Sequence, residues 1–220
     1  MRLILVRHGE SEWNAAGRVQ GQADPGLSEA GKAEARLLAP LVSALEPSVV
    51  VTSDLRRAVE TGALVSGAAT ATDPRWRECA MGDWTGRSAA ELYADPVGRF
   101  AAWREGRADP PGGESWDAVC DRVAEAVRAL RAGGAERALV VTHGGPVRAA
   151  CAVFAGLAPD QLVPVPNASI TVIELVHGGR LASFAVRPVP PGTASPPSAV
   201  GPFVARRGPD PRRGCRSRSG

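Results

Sequence analysis

Residues 2–10, RLILVRHGE, join an unbroken apolar run at 3–6 directly to a charged turn. Two more runs of this kind, at 49–51 and 139–141, also end in polar or glycine-bearing turns. Short apolar runs without alternating polar residues are typical of strands that are buried on both faces, as in a parallel sheet that helices cover. The three runs therefore predict the mostly parallel central sheet of an α/β protein.

Helical patterns separate these runs and predict helices on both faces of the sheet. Ser28 and Ser115 are expected to be N-caps, because a serine side chain can accept a hydrogen bond from the first turn of a helix. Behind the caps, helical spacing predicts two buried stripes, Leu37, Leu38, Leu41, Val42, Leu45 and Val119, Val123, Val127, Leu130. Further helices are expected from 54 to about 65 and from 146 to about 154. Strands that alternate with helices indicate a three-layer α/β/α sandwich.

Three segments lie outside this alternation. Residues 169–175 and 181–186 are predicted to form a hairpin at the sheet edge. Residues 75–113 are less regular, and long insertions of this kind tend to be lids or binding loops. From Pro188 onward, eight Pro and five Gly fall within 33 residues. This segment has too few large apolar side chains for their burial to offset the entropy that folding would cost. We therefore expect one domain over residues 1–187 and a Pro/Gly/Arg-rich disordered tail over residues 188–220.

The net charge of +3 divides unevenly between these two parts. The tail contains six Arg against Asp210, a net charge of +5, so residues 1–187 carry a net charge of −2. A slightly acidic body argues against a nucleic-acid partner, and no apolar stretch approaches the roughly 20 residues of a membrane span. Four scattered cysteines without a C-x-x-C pair, and an N-terminal apolar run too short for a signal peptide, predict a cytoplasmic protein. A homodimer is left open.

Two of the three histidines and a pair of arginines lie in the segments that follow the ends of predicted strands. His8 follows the first strand, His143 follows the third, and Arg56-Arg57 begin the helix after the second. Ligands of parallel α/β sheets bind at the carboxyl ends of the strands, and guanidinium groups bind phosphate through paired hydrogen bonds. Taken singly, His143 could be structural and the arginine pair could be a solvated helix face. Together with Arg7, they favour a phosphate site.

A metal centre is the rival use of two strand-end histidines. His177 lies in the predicted hairpin turn, and no Asp or Glu falls at ligand spacing on the same helix face as His8 or His143. The residues therefore favour phosphoryl transfer without a metal or other cofactor, with a histidine as the nucleophile. An imidazole with an ordinary pKa of about 6.5 is largely neutral near pH 7 and needs no activating base.

Six motifs resemble, in the same order along the chain, those of the histidine phosphatase superfamily in its phosphoglycerate mutase-like branch. They are RHGESEWN at 7–14, VQGQAD at 19–24, SDLRRAVET at 53–61, WRECAMGDWTG at 76–86, GGES at 112–115 and VTHGG at 141–145. The resemblance covers residues 1 to about 186 and implies a phosphoglycerate mutase-like fold.

The resemblance also implies roles for individual residues, with His8 transiently phosphorylated and Glu78 as general acid and base. The implied catalytic residues are His8, Glu78, Arg7, Arg57 and His143. The implied substrate-binding residues are Asn14, Gln20, Gly21 and Gly144, with Gln20 and Gly21 beside the entrance. Arg57 is preferred to Arg56 because it directly precedes Ala58 in the S-x-L-x-R-A pattern.

Some of these assignments have alternatives. Asp83 competes with Glu78 as the acid, but its position varies in the family pattern. Ser115 follows the GGE of the family, and we prefer its role as a helix cap. The large side chains of the irregular region are expected either to line the leaving-group side or to form the core of a lid; they are Trp84, Trp103, Arg104 and Trp116.

The resemblance implies a phosphatase that hydrolyses phosphomonoesters of small metabolites. Mutases of the family carry Y-G-x-L-x-G-L after the acidic residue and a longer insertion, whereas this chain has MGDWTG at 81–86 and no such insertion. A mutase is the first alternative, and a catalytically inactive binding protein of the same fold is the second. The D-W-x-G and A-W-R-E elements are similar to those of glucosyl-3-phosphoglycerate phosphatases, but relatives with similar motifs act on several phosphorylated metabolites, so the substrate is left open.

Overall fold

A six-stranded sheet forms the centre of the part of the chain that the computed structural model describes, residues 1–67, 70–176 and 178–188. Its strands are β1 (Arg2–Arg7), β2 (Val49–Thr52), β3 (Ala71–Thr72), β4 (Arg137–Thr142), β5 (Ser169–Glu174) and β6 (Arg180–Val186). They lie in the order β3-β2-β4-β1-β5-β6. The first four strands are parallel to one another, and β5 pairs antiparallel with β1 and with β6. The prediction of a mostly parallel sheet with an edge hairpin is confirmed.

Helices cover both faces of this sheet. They are α1 (Glu12–Ala15), α2 (Glu29–Ala44), α3 (Arg56–Ser66), α4 (Ala89–Ala94), α5 (Arg99–Arg104), α6 (Trp116–Ala132) and α7 (Gly144–Ala155). Alternate side chains of β1 belong to two separate cores: Leu3 and Leu5 pack with α6 and α7, whereas Ile4 and Val6 pack with α2 and α3. The three-layer α/β/α sandwich is therefore confirmed. Within the described residues, no helix is both long enough and apolar enough to cross a membrane.

The buried stripe of α2 differs from the predicted one. Ser28 is the N-cap as expected, and its Oγ accepts a hydrogen bond from Gly31 N at 3.0 Å. Leu38 and Val42 are buried, but Leu37 and Leu41 are each 39% exposed. The reason is the orientation of the first turn. A Cβ at Gly31 would lie only 1.9 Å from the carbonyl oxygen of Glu10, so the face of α2 that carries Gly31 packs against the turn after β1. With this face buried, Leu37 and Leu41 point outward.

Two helix starts also differ from the prediction. α3 begins at Arg56 rather than Asp54, because Leu55 has an extended backbone and is the N-cap. The Asp54 carboxylate lies outside the helix and binds the guanidinium of Arg77 at 2.6 and 2.8 Å. α7 begins at Gly144, two residues before Pro146. The cap of α6 is as predicted, since Ser115 Oγ accepts from Ala118 N at 3.2 Å.

The irregular region after β3 contains α4, α5 and two 3₁₀ turns, Pro74–Trp76 and Gly82–Trp84. Trp84 is 5% exposed and its ring lies 5.4 Å from that of Phe100 and 6.1 Å from that of Trp103. Trp84 was expected either to line the leaving-group side or to form the core of a lid, and it is a core residue of this insertion. His177 lies outside the described residues, and so does the predicted tail beyond Pro188.

Candidate active site

The carboxyl ends of β1 and β4 bring the two strand-end histidines together. The strands are paired in parallel with Arg7 opposite Thr142, so His8 and His143 follow at the same level of the sheet. Their ring centroids are 5.1 Å apart, and the rings are inclined by 60°. His8 is 2% exposed and His143 is fully buried against it.

The hydrogen bonds of His8 define which ring nitrogen is free. Its Nδ1 lies 2.6 Å from the carbonyl oxygen of Gly9, which can only accept, so Nδ1 carries the proton. Its Nε2 is then unprotonated and accepts from Arg57 Nε at 3.3 Å. Burial first, and then the charges of Arg57 and Arg7, hold the pKa of His8 well below its ordinary value of 6.5. The ring is therefore neutral near pH 7, with a nucleophilic nitrogen next to a guanidinium.

His143 is held by the turn after β2. Its Nε2 lies 2.9 Å from Ser53 Oγ, which accepts a hydrogen bond from Leu55 N and can donate its own proton to Nε2, so that Nδ1 carries the proton of the neutral ring. Its other ring nitrogen, Nδ1, is buried and has no hydrogen-bond partner in the described part of the chain. Burial and the charge of Arg57 lower the pKa of His143 well below 6.5. A buried polar atom without a partner is costly, so Nδ1 is available to a ligand oxygen.

Two arginines supply the positive charge of the site. Arg57 is 1% exposed, and it donates to the carbonyl oxygens of Ala23 and Gly21 at 2.7 and 2.8 Å. Burial lowers its pKa to about 10, so it remains protonated at neutral pH. Arg7 donates from Nη1 to the carbonyl oxygen of Val165, and its Nε has no partner in the described residues. Arg56, by contrast, is exposed and pairs with Glu60 at 2.7 Å, away from the histidines.

Glu78 reaches the same pocket from the irregular region. Its Oε1 accepts hydrogen bonds from Cys79 N at 2.9 Å and from Gly145 N, in the first turn of α7, at 3.0 Å. Its main-chain oxygen accepts from Gln22 Nε2 at 3.2 Å. The rival acid, Asp83, is exposed in the 3₁₀ turn Gly82–Trp84 and does not line the pocket. The geometry therefore favours Glu78.

The pocket itself has a volume of about 170 Å³. Seven of the nine implied catalytic and substrate-binding residues line it: Arg7, His8, Asn14, Gln20, Gly21, Arg57 and Glu78. Gly144 lines an adjoining cavity instead, and His143 lies beneath His8. The outer wall is formed by large side chains of α4 and α5 together with Arg18; these are Tyr93, Phe100, Trp103 and Arg104. Trp103 and Arg104 thus lie where a leaving group would be expected.

Asn167 also belongs to the site, although the sequence analysis did not single it out. Its Nδ2 donates to Asn14 Oδ1 at 3.0 Å and to the carbonyl oxygens of His8 and Gly9, each at 3.2 Å. It reaches the turn after β1 because β5 runs antiparallel to β1 and therefore begins where β1 ends. The sequence shows only an asparagine just before a predicted strand, and this would have indicated a site residue only if the pairing of β5 with β1 had been known.

The described residues offer no metal site. Among them, no group of three or more His, Cys, Asp or Glu side chains could hold a metal ion. A larger cavity of about 480 Å³ lies beside the end of α6, but none of the predicted catalytic or substrate-binding residues lines it. Its charged side chains, Asp73 and Arg75, already pair with each other at 2.7 Å.

Comparison with known proteins shows which family and which relatives the chain resembles. Residues 3–185 match the family model of the histidine phosphatase superfamily, branch 1. The chain is 39% identical to glucosyl-3-phosphoglycerate phosphatase of Mycolicibacterium vanbaalenii over 73% of its length and 76% of that protein. It is 35% identical to a probable phosphoglycerate mutase of Photorhabdus laumondii, over 83% of this chain and 89% of that one. The structure of a mycobacterial glucosyl-3-phosphoglycerate phosphatase in complex with VO3 superimposes with a TM-score of 0.75 and 35% identity, covering 85% of this chain and 98% of that one.

Proposed function

The chain belongs to the histidine phosphatase superfamily and is a phosphoric monoester hydrolase, and we propose that it hydrolyses phosphomonoesters of small metabolites through a phosphohistidine on His8. The observation that carries the proposal is the unprotonated Nε2 of His8. It lies 3.3 Å from Arg57 Nε, in a pocket that Glu78 also lines. A neutral imidazole nitrogen beside fixed cations is suited to accept a phosphoryl group.

In the first step, Nε2 of His8 attacks phosphorus and the bond from phosphorus to the ester oxygen breaks. Arg7 and Arg57 stabilise the negative charge on the other phosphoryl oxygens, and His143 offers its unpartnered Nδ1. An alkoxide is a poor leaving group, so Glu78 enters this step protonated and gives its proton to the departing oxygen. The products are the alcohol, the phosphohistidine and the Glu78 carboxylate.

In the second step, water attacks the phosphohistidine. The Glu78 carboxylate takes a proton from that water, the bond from nitrogen to phosphorus breaks, and His8 Nε2 recovers its lone pair. Inorganic phosphate leaves, and Glu78 is again protonated for the next substrate. No step requires a metal ion, because arginine and histidine side chains supply the positive charge.

A mutase is the second candidate, because several relatives, that of Photorhabdus laumondii among them, are named probable phosphoglycerate mutases. It would use the same phosphohistidine but return the phosphoryl group to another hydroxyl of the bound molecule. With 3-phosphoglycerate as the substrate, the two functions separate cleanly. We expect free phosphate to accumulate, and isomerisation much faster than phosphate release would contradict the phosphatase.

The decisive experiment is a screen of phosphorylated metabolites with glucosyl-3-phosphoglycerate among them, read as released phosphate. His8→Ala should abolish release, and wild type should retain its rate in EDTA. Persistent activity of His8→Ala would contradict the phosphohistidine mechanism, and a loss of activity in EDTA would contradict a metal-free reaction. An inactive binding protein, the remaining alternative, would release no phosphate from any substrate.

We also propose that residues 1–187 carry the whole activity and that the basic segment from Pro188 onward is dispensable for it. A chain that ends at Arg187 should keep the kcat/KM of the full chain, and a large loss would contradict this division. A cytoplasmic location is supported by the free thiols of the three described cysteines, Cys79, Cys120 and Cys151, since reducing compartments keep thiols unpaired.

A further inference from the structure

Ser53 is the first residue of the segment SDLRRAVET, and the proposed reaction gives it no task. It follows β2 directly and is fully buried. Its main-chain N donates to the carbonyl oxygen of Val141 at 2.8 Å, which ties it to β4, the strand that ends before His143. The Oγ of Ser53 lies 2.9 Å from His143 Nε2 as a result of this pairing. A buried hydroxyl group is therefore held against a ring of the site.

The hydroxyl proton of Ser53 has a single acceptor. Leu55 N donates to Ser53 Oγ at 3.3 Å, and this contact uses a lone pair of the oxygen and not its proton. Within the described residues, the other polar partner of Oγ is His143 Nε2 alone. If Nε2 carried the ring proton, the buried hydroxyl proton would have no acceptor, and a buried donor without an acceptor is costly. Ser53 therefore favours the tautomer of His143 whose proton is on Nδ1.

The tautomer decides what His143 offers to a phosphoryl group on His8. The two rings are in contact, and Nδ1 of His143 is buried without a partner among the described residues. A proton on Nδ1 makes this atom a donor to a phosphoryl oxygen, whereas a lone pair at the same place would repel that oxygen. Burial, and then the charge of Arg57, hold the pKa of His143 well below 6.5, so the free ring has one proton to place.

We propose that Ser53 is a positioning residue of the reaction: its hydroxyl group donates to Nε2 of His143 and thereby keeps the ring proton on Nδ1, where it binds a phosphoryl oxygen. The hydrogen bond at one nitrogen of an imidazole sets the state of the other, and Ser53 supplies that bond here. The proposal rests on the proposed phosphatase function and adds to it a residue that acts on the substrate only through His143.

NMR of the histidine ring nitrogens tests the tautomer directly. The chain contains three histidines, and the signals of His143 are those that disappear in His143→Gln. In wild type at about pH 7.5, we expect a protonated Nδ1 and an unprotonated Nε2. Ser53→Ala should place a measurable fraction of the proton on Nε2, and Ser53→Thr, which keeps the hydroxyl group, should keep it on Nδ1. A wild-type proton on Nε2, or an unchanged tautomer in Ser53→Ala, would overturn the proposal.

Kinetics test the consequence for the reaction. Ser53→Ala should lower kcat/KM by about 10-fold, which is the contribution of one hydrogen bond. The loss should be equal for glycerol 3-phosphate and p-nitrophenyl phosphate, because His143 serves the phosphoryl oxygens and not the leaving group. The matched control is Thr171→Val, which removes another buried hydroxyl group, one that accepts from Ala185 N at 3.1 Å, and it should keep the wild-type kcat/KM. Full activity of Ser53→Ala, or an equal loss in Thr171→Val, would contradict the proposal.

A double-mutant cycle shows whether Ser53 acts through His143. In a His143→Ala background, Ser53→Ala should change kcat/KM by less than about 2-fold, because the ring on which the hydroxyl group acts is gone. Losses that multiply instead would mean that Ser53 supports the fold and not the ring, and they would overturn the proposal. The phosphatase function fails separately: if His8→Ala still releases phosphate, the phosphohistidine is wrong, whereas the ring spectrum continues to test Ser53.

Discussion

Replacing Gly145 with alanine should displace the general acid without disturbing the helix that carries the replacement. Gly145 N donates to Glu78 Oε1 at 3.0 Å, and a Cβ at this glycine would lie 2.2 Å from the same oxygen. Non-bonded Cβ contacts under 3.0 Å essentially do not occur, so the carboxyl group must retreat by about 0.8 Å. A shift of about 1 Å in a reacting group costs on the order of 10²-fold in rate. We expect kcat/KM for an alkyl phosphomonoester to fall by that amount.

The assay measures phosphate release from glycerol 3-phosphate and from p-nitrophenyl phosphate. The nitrophenolate leaves without help from an acid, so its kcat/KM should fall much less than that of the alkyl ester. The matched control is Gly144→Ala, where the nearest atom to the new Cβ is Glu78 Oε2 at 3.8 Å, an ordinary contact. Both variants add one methyl group to the first turn of α7, and alanine is the better helix former, so neither should lower the melting temperature.

Two outcomes would refute this reasoning. If Gly145→Ala cleaves the alkyl ester as fast as wild type does, Glu78 is not the group that protonates the leaving oxygen. If Gly144→Ala loses as much activity as Gly145→Ala, the cause is crowding of the helix start and not displacement of the carboxyl group.

Three further predictions concern the groups around His8. Arg57→Gln should lower kcat/KM by about 10²-fold or more, as expected for the loss of a donor to the transferring group, whereas Arg56→Gln, which breaks an exposed pair with Glu60, should leave it nearly unchanged; equal losses would contradict the assignment of Arg57. Burial keeps the pKa of His143 well below 6.5, so below about pH 6.5 the unfolded chain binds a proton that the native ring does not bind. The free energy of unfolding should therefore decrease as the pH is lowered, by up to about 1.4 kcal/mol per pH unit. Urea denaturation between about pH 5 and pH 7.5 measures this dependence, and the free energy of unfolding of His143→Gln should change less steeply with pH than that of wild type. An identical slope would contradict the buried neutral state of His143. Asn167→Ala removes three hydrogen bonds to the turn after β1 and should cost about 1 to 3 kcal/mol of stability in the same measurement, with a lower kcat; unchanged stability would show that these bonds do not hold the turn.

The strand-end residues could be predicted from the sequence because the signal is local. An apolar run marks each buried strand, and the next residue is then at the carboxyl edge of a parallel sheet, where ligands bind. The sequence therefore placed His8 and His143 at the same edge of the sheet, and the pairing of β1 with β4 makes them neighbours. The register of these two strands then sets the distance between the ring centroids, 5.1 Å.

Asn167 and the outward turn of Leu37 could not be predicted, because both depend on packing between distant segments. Asn167 enters the site through the antiparallel pairing of β5 with β1, whereas the sequence indicated only a hairpin at the edge. Leu37 fits an apolar helical stripe by spacing, but the close approach of α2 to the turn after β1 rotates it outward. The spacing of apolar residues predicts that a helix forms, but tertiary contacts decide which of its faces is buried.

The glycines that follow the two histidines acquire a physical reason in the same way. A Cβ at Gly9 would lie 2.3 Å from the carbonyl oxygen of Gly31, so only a glycine lets α2 approach the turn that carries His8. A Cβ at Gly145 would occupy the place of the Glu78 carboxyl group. Neither glycine needs a positive φ, so backbone freedom does not explain them. Because these two glycines lack side chains, α2 can pack against the turn that carries His8, and the Glu78 carboxyl group can approach the start of α7. Both glycines are therefore part of the proposed catalytic geometry.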